Sequence, residues 1–226
     1  MNGWKWLGLW SAEEDAEARS YGKLPGMNKY WDKNEDGQID NLDRTTIGNG
    51  YPKYTIGWTN LLTYNNFELS FLILSNQGND LFNTMRIRRE TYEANDPKCL
   101  NYWTPENQDT DIPALYDGKY VEEQLLTNKY FFGNSSGATS QWVEDASFIR
   151  LKTITVAYSM DQKLLKRIGF TKARFYVSGT NLLTITDYTG YDPEVAAFTY
   201  SDATIGTDLS VYPPARMWTF GVDFTF

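Results

Sequence analysis

The sequence predicts an all-β fold: an antiparallel sector of a transmembrane β-barrel, with about six strands, long outer loops and short periplasmic turns. Three features predict it, namely segments in which apolar and polar residues alternate, connections that sort by length, and an aromatic strand that finishes the chain. Residues 1–226 read as one unit, long enough to build a sizeable domain.

The alternation is clearest at the carboxyl end, where Trp218, Phe220, Val222, Phe224 and Phe226 are separated by Thr219, Gly221, Asp223 and Thr225. In Tyr54–Tyr64 the even positions Tyr54, Ile56, Trp58, Leu62 and Tyr64 are apolar, with Leu61 the exception. Phe67, Leu69, Phe71 and Ile73 carry the odd phase of the next segment. Ile154, Val156, Tyr158 and Met160 alternate with Thr153, Thr155, Ala157 and Ser159. Lys172–Thr184 sets Ala173, Phe175, Val177 and Leu183 against Lys172, Arg174, Tyr176, Ser178 and Thr180. A period of two in β-branched and aromatic residues is the mark of strands. Trp4–Trp10 is a sixth candidate, with Trp4, Trp6 and Trp10 on one face. Helical signal is confined to Ser11–Tyr21, which has a cap and helix formers but no apolar stripe, and to possible turns at Val121–Leu126 and Asp161–Ile168.

Between these strands the links run long, short, long, short, long. The short ones are Asn65-Asn66, a pair suited to a turn with positive φ, and the Met160–Thr171 link. The long ones are Ser11–Gly50, Asn79–Ala146 and Asp187–Pro214. In an antiparallel meander this parity puts both short turns at one end and all long loops at the other, as in outer-membrane barrels. A soluble sandwich also alternates, but its loops need not sort by end.

Composition narrows the function. Asp and Glu number 29 against 21 Lys and Arg, a net charge of −8, which argues against nucleic acid as a partner. The chain has no His, which excludes His-based triads and His metal sites, and its one cysteine, Cys99, excludes an intrachain disulfide. No stretch approaches eighteen consecutive apolar residues, and Met1–Trp10 lacks the basic start and apolar run of a secretory signal.

Asp32–Asp43 fits a twelve-position calcium loop, with Gly37 at the sixth place and Ile39 at the eighth. Asp32, Asn34 and Asp36 are the expected side-chain ligands of a structural Ca²⁺, Gln38 offers its backbone carbonyl, and Asp40 acts through water. Asp43 stands where the longer Glu is usual. Pro25-Gly26 and Gly48-Asn49-Gly50 flank the loop, so a clamp is expected rather than a regulatory helix pair.

The ordered series of motifs resembles the C-terminal part of the SusC/RagA TonB-dependent transporters. It runs from Gly8-Leu9-Trp10 through the acidic loop, Arg44–Asn49, Pro52-Lys53-Tyr54, Phe67–Phe71, Gly78-Asn79-Asp80 and Asn83 to Ala146–Lys152. It continues through Asn181-Leu182-Leu183, Tyr188–Glu194 and Tyr212-Pro213-Pro214 to the terminal strand. That strand, Thr219–Phe226, also resembles the signal read by barrel-assembly machinery, in which an unpaired strand adds to a sheet edge.

The resemblance implies a barrel with an N-terminal plug and a TonB-contacting segment, capped by a SusD/RagB-like surface lipoprotein. It implies import of oligosaccharides or peptides across the outer membrane, driven through the TonB complex. No plug is read here, so a fragment unable to transport alone is expected. Thr55, Thr59, Glu68, Arg174, Tyr176 and Asp223 are expected to face a polar lumen, and the apolar set to face lipid. Trp103, Trp142, Tyr102 and Tyr120 lie on the longest loop, where packing or sugar stacking would use them.

Arg150 and Lys152 share the phase of Phe148 and are therefore expected on the lipid side, tolerable only beyond the apolar band. The alternative is a secreted, soluble, calcium-dependent carbohydrate-binding β-module, which leaves the loop sorting and the terminal strand unexplained. No enzyme is expected, although Asp192/Glu194 and Asp109/Asp111 are carboxylate pairs of the kind that glycoside cleavage uses.

Overall fold

The computed structural model describes residues 1–90, 97–116, 138–166, 169–194 and 205–226. The first strands are β1 (Asn2–Gly3), β2 (Trp6–Leu9), β3 (Asn28–Tyr30), β4 (Thr45–Thr46), β5 (Tyr54–Tyr64) and β6 (Phe67–Gln77). They are followed by β7 (Asp80–Asn83), β8 (Val143–Asp145), β9 (Phe148–Ser159), β10 (Lys172–Thr186), β11 (Thr207–Asp208) and β12 (Met217–Thr225). Short helices occupy Asp15–Ser20, Thr84–Glu90 and Gln162–Leu165. The turn expected at Val121–Leu126, and Ile168, lie outside the described residues.

The residues gather into two compact units. One contains a five-stranded antiparallel sheet in the order β12-β10-β9-β6-β5, an unbroken meander. Five of the predicted strands form it. Asn65, at φ 52°, makes the tight β5–β6 turn, so its sequence signal is realised in left-handed backbone. The β9–β10 link leaves from the same end, and every long connection leaves the sheet from the opposite end.

Register makes the two faces explicit. Val222, Phe175, Tyr158, Phe67 and Tyr64 lie side by side across all five strands, and Phe220, Val177, Val156, Leu69 and Leu62 form the next row. The row on the other face between them is Gly221, Tyr176, Ala157, Glu68 and Thr63. Among the described residues no second layer covers the apolar rows. Trp218, Phe220, Val222 and Phe224 are 59%, 76%, 49% and 52% exposed, against the buried positions a sandwich core would give them. The opposite face is mixed rather than wholly polar, since Leu61, Leu72 and Met217 fall on it.

One expectation is corrected here. Arg150 and Phe148 do not point to the apolar face: both are 1% exposed on the polar one. The cause is a β-bulge in β9. Thr153 pairs with Leu72 and Leu151 with the next residue, Ile73, so Lys152 is extra and the phase reverses across it. Below the bulge Ile154, Val156 and Tyr158 face outward; above it Leu151 and Ile149 do, in register with Leu183 and Ile185. Each segment keeps its period of two, and only the join between them breaks it.

The second unit comprises Met1–Gly50, Asp80–Glu144 and Ala196–Ser210. Here the long connections build small sheets of their own, β1-β4, β2-β3 and β11-β7-β8, around buried Trp4, Trp10, Leu24, Tyr30, Leu81, Trp103 and Ile112. Trp4–Trp10 belongs here and is not a sixth strand of the large sheet. Gly8, at φ 116°, shifts the β2–β3 register, and the indole N–H groups of Trp4 and Trp6 donate to the Asp40 carbonyl and the Asn28 side chain. The acidic stretch in Ser11–Tyr21 does form a helix, with Arg19 paired to Asp15 one turn back.

Glycine at 221 lets the Tyr176 ring lie over the neighbouring strand: a Cβ there would sit 2.1 Å from Tyr176 Cζ, whereas one at Gly57 would meet nothing within 4 Å. Gly221→Val should therefore cost roughly 1–3 kcal/mol by overpacking, and Gly57→Val under about 0.5 kcal/mol. Urea unfolding of the receptor that carries this sector, in detergent micelles and followed by circular dichroism, measures the difference, and equal midpoints would contradict the packing.

Candidate functional site

Three features of the molecule carry chemistry: the two faces of the large sheet, an ion cluster at its long-loop end, and the acidic loop of the other unit.

The apolar face is rich in aromatic residues. Near the short turns, Phe67 and Tyr158 pack at 4.9 Å between centroids, and Phe170 lies 5.2 Å from Phe224 and 5.0 Å from Phe226. Near mid-strand, Trp58 meets Phe71 edge to face at 5.3 Å. An outward face of apolar rows rich in aromatic residues is a feature of a barrel surface that crosses a bilayer. The eleven residues of β5 fit the same purpose: at about 3.4 Å per residue and a tilt near 45°, such a strand spans roughly 25 Å of height. No described helix is long and apolar enough to cross a membrane, so any crossing falls to strands.

On the polar face Arg174 donates to Glu68 at 2.7 Å and to Asp223 at 3.5 Å, joining three strands, and Thr155 bonds Ser178 at 2.9 Å. Glu68, Arg174, Tyr176 and Asp223 thus share one face, as expected from the sequence, and Thr55 bonds Asn76 at 2.9 Å. These groups satisfy one another's hydrogen bonds across the strands.

At the long-loop end, Arg150 Nε donates to Thr184 at 2.9 Å, Nη2 to Asp192 at 2.6 Å and Nη1 to Glu194 at 2.6 Å. Lys152 Nζ donates to both Glu194 oxygens, at 2.9 and 2.7 Å. The carboxylate pair Asp192/Glu194 is thereby committed to two cations. Asp109 and Asp111 are exposed. The sequence did not reveal this cluster, because its pairing depends on the bulge.

In the acidic loop each predicted ligand is placed, and most hold the loop's own amides. Asp32 Oδ1 accepts from Glu35 N at 2.7 Å, and its Oδ2 accepts from Gly37 N at 2.8 Å and the Tyr21 hydroxyl at 3.1 Å. Partial desolvation works against ionisation of Asp32, but the Gly37, Tyr21 and Glu35 donors outweigh it and hold the carboxyl below its ordinary range. Asn34 Oδ1 accepts from Asp36 N at 3.4 Å, and Asp36 Oδ1 from Gln38 N at 2.9 Å. Gly37 is left-handed at φ 78°. Asp40 Oδ1 accepts from Leu42 N at 2.6 Å.

Asp43 is fully buried, and its two oxygens accept from Lys33 N at 2.9 Å and Asp40 N at 2.7 Å. It closes the loop at both ends and caps the turn Asn41–Asp43. Among the described residues no three His, Cys, Asp or Glu side chains converge as a metal site. Of the loop aromatics, Trp103 is buried over Gly26 and Trp142 lies 5.3 Å from the Arg86 guanidinium. Tyr102 is half-buried, and Tyr120 lies outside the described residues.

A meander with one apolar face, a more polar opposite face and long loops at one end defines the class: part of the wall of a membrane β-barrel. Known proteins agree. TonB-dependent receptor P3 of Formosa agariphila is 32% identical over 207 residues, covering 89% of this chain and 19% of the relative. TonB-dependent receptor P26 of the same organism is 32% identical over 235 residues, covering all of this chain and 22% of the relative. TonB-dependent receptor SusC of Bacteroides thetaiotaomicron is 24% identical over 209 residues, covering 89% and 18%.

Among solved structures, the RagAB peptide importer in its open-open state matches all of this chain and 22% of its own at a TM-score of 0.72 and 22% identity, a likeness of fold. No family model matches. The chain belongs to the SusC/RagA-like TonB-dependent receptors and spans about a fifth of the length of these curated relatives.

Proposed function

We propose that this chain forms part of the outer-membrane barrel wall of a SusC/RagA-like importer of oligosaccharides or peptides. The observation that carries the reading is the apolar face, whose residues stand exposed or half-exposed in rows that cross five strands. In lipid those rows need no cover, and the polar face lines the passage. Sheet edges at β5 and β12 then pair with further strands, because unpaired peptide groups in hydrocarbon cost several kcal/mol each. The smallest such barrels have about eight strands. The Thr219–Phe226 strand is the element presented to barrel-assembly machinery. A SusD/RagB-like lipoprotein and the TonB complex are the partners of the whole receptor, and neither the sugar nor the peptide class is favoured by the residues described.

An arginine at Val156 meets lipid, whereas one at Thr155 meets water. The first change costs up to about 2–4 kcal/mol near the midplane, and the second about 0–1 kcal/mol. In the receptor that carries this sector, Val156→Arg should cut the heat-modifiable folded protein in outer membranes several-fold, and Thr155→Arg should leave it nearly unchanged. Equal tolerance would overturn the facing.

The reading includes a structural Ca²⁺ at the acidic loop. Its support is the run of oxygen-bearing side chains at Asp32, Asn34 and Asp36 beside left-handed Gly37, with the Gln38 carbonyl and Asp40 following. Asp43 shapes the loop from its last position. Calorimetric titration of the full chain with Ca²⁺ should show one site in the range of about 10⁻⁴–10⁻³ M, as in extracellular modules, weakened at least about tenfold by Asp36→Ala. Binding that ignores this change, or no heat at all, removes the cation from the account.

A further inference from the structure

We infer that Arg150 is a latch that seats the Tyr188–Glu194 segment against the polar face of the large sheet. This rests on the proposed barrel reading only for the surroundings of that face; the latch itself lies within one unit.

The joint is centred on an ion cluster. Arg150 is 1% exposed and spends its Nε on Thr184 of β10 and its two Nη groups on Asp192 and Glu194. Lys152 adds a second cation against Glu194. Asp192 also accepts from Glu194 N at 2.8 Å, which folds the segment back on itself. Two positive and two negative charges balance, so no charge is left over to be bound from outside.

Apolar burial accompanies the ion cluster: Tyr188 closes over Gly190 and Pro193 is buried between the two carboxylates, while Tyr191 is 64% exposed. A buried ion pair adds little stability over an apolar replacement, yet a segment that loses one partner is left with an uncompensated charge. Such a joint fixes position more than it adds adhesion.

The joint is also asymmetric. The Asp192 half is sealed, with side chains 1% and 7% exposed, while Lys152 and Glu194 are each 30% exposed and meet water. Release therefore begins at Glu194, where solvent can replace the Lys152 contact, and is completed when Asp192 leaves Arg150. The bulge at Lys152 is what makes this possible. Without the phase reversal Arg150 would point to the apolar side, and neither carboxylate could reach it.

The test is a distance measurement in the bilayer-reconstituted receptor that carries this sector. Spin labels go on Tyr191→Cys and Thr219→Cys in a Cys99→Ser background, read by pulsed electron resonance. The parent should give one narrow distribution. Arg150→Met should widen it at least twofold, and Glu194→Gln should give an intermediate width. Arg150→Met combined with Asp192→Asn should widen it no further than Arg150→Met alone, which a general loss of stability would not reproduce. If Arg150→Met does not fold, Glu194→Gln and Lys152→Met give the answer from the accessible half. A distribution that keeps its width in these variants, or one that widens additively in the double variant, overturns the latch. Failure of the barrel reading would appear separately, as equal tolerance of arginine on the two faces.

Discussion

The structure depends on one constraint: peptide groups must be paired even where side chains are turned outward to a medium that offers no hydrogen bonds. A meander meets that constraint strand by strand, because each N–H and C=O inside the sheet has a neighbour in the ladder. Its side chains can then be sorted freely by face. The residues of the apolar rows need no partner within the chain, and this is why a sheet with Trp218 and Phe220 in the open is a stable arrangement in a bilayer and an untenable one in water. Edge strands are where the constraint bites, since each of the two leaves a row of groups unpaired.

A single inserted residue reconciles that constraint with the charged end of the sheet. Lys152 offsets the β9 register by one, and the offset turns Arg150 from the face where its charge is most costly to the face where two carboxylates and a threonine meet it. The bulge has a further consequence for packing. Phe148, carried round with Arg150, becomes buried beneath the guanidinium, at 5.2 Å from its ring. Bulges occur where a strand must re-aim a side chain, and here the side chain re-aimed is the one that holds the following segment in place.

Much of this was legible in the residues. The period of two in Tyr54–Tyr64, Phe67–Ile73 and Trp218–Phe226, and the Asn65-Asn66 turn, are local signals, and each strand and the turn formed where they lay. Loop parity is also read from the chain directly. What could not be read is where period and register part company. A single phase read along Ile149–Met160 puts Arg150 on the apolar face, but the segment contains two phases, and nothing in the amino acids marks the join. Trp4–Trp10 misled for a related reason: its indoles are spaced as a strand face, but left-handed Gly8 shifts the pairing, and long-range bonds to Asp40 and Asn28 draw the indoles into a separate core. The spacing of the acidic loop, by contrast, was legible, while the commitment of Asp43 to the Lys33 and Asp40 amides follows only from the folded turn.

The facing of the terminal strand tests the central claim most directly. Nitroxide labels placed singly along Met217–Phe226 in the bilayer-reconstituted receptor report collision with oxygen, which concentrates in lipid, and with a water-soluble nickel chelate. The account predicts a period of two, with positions 218, 220, 222 and 224 favouring oxygen and positions 219, 221 and 223 favouring the chelate. A strand whose positions respond alike, or whose even positions favour the chelate, would contradict it.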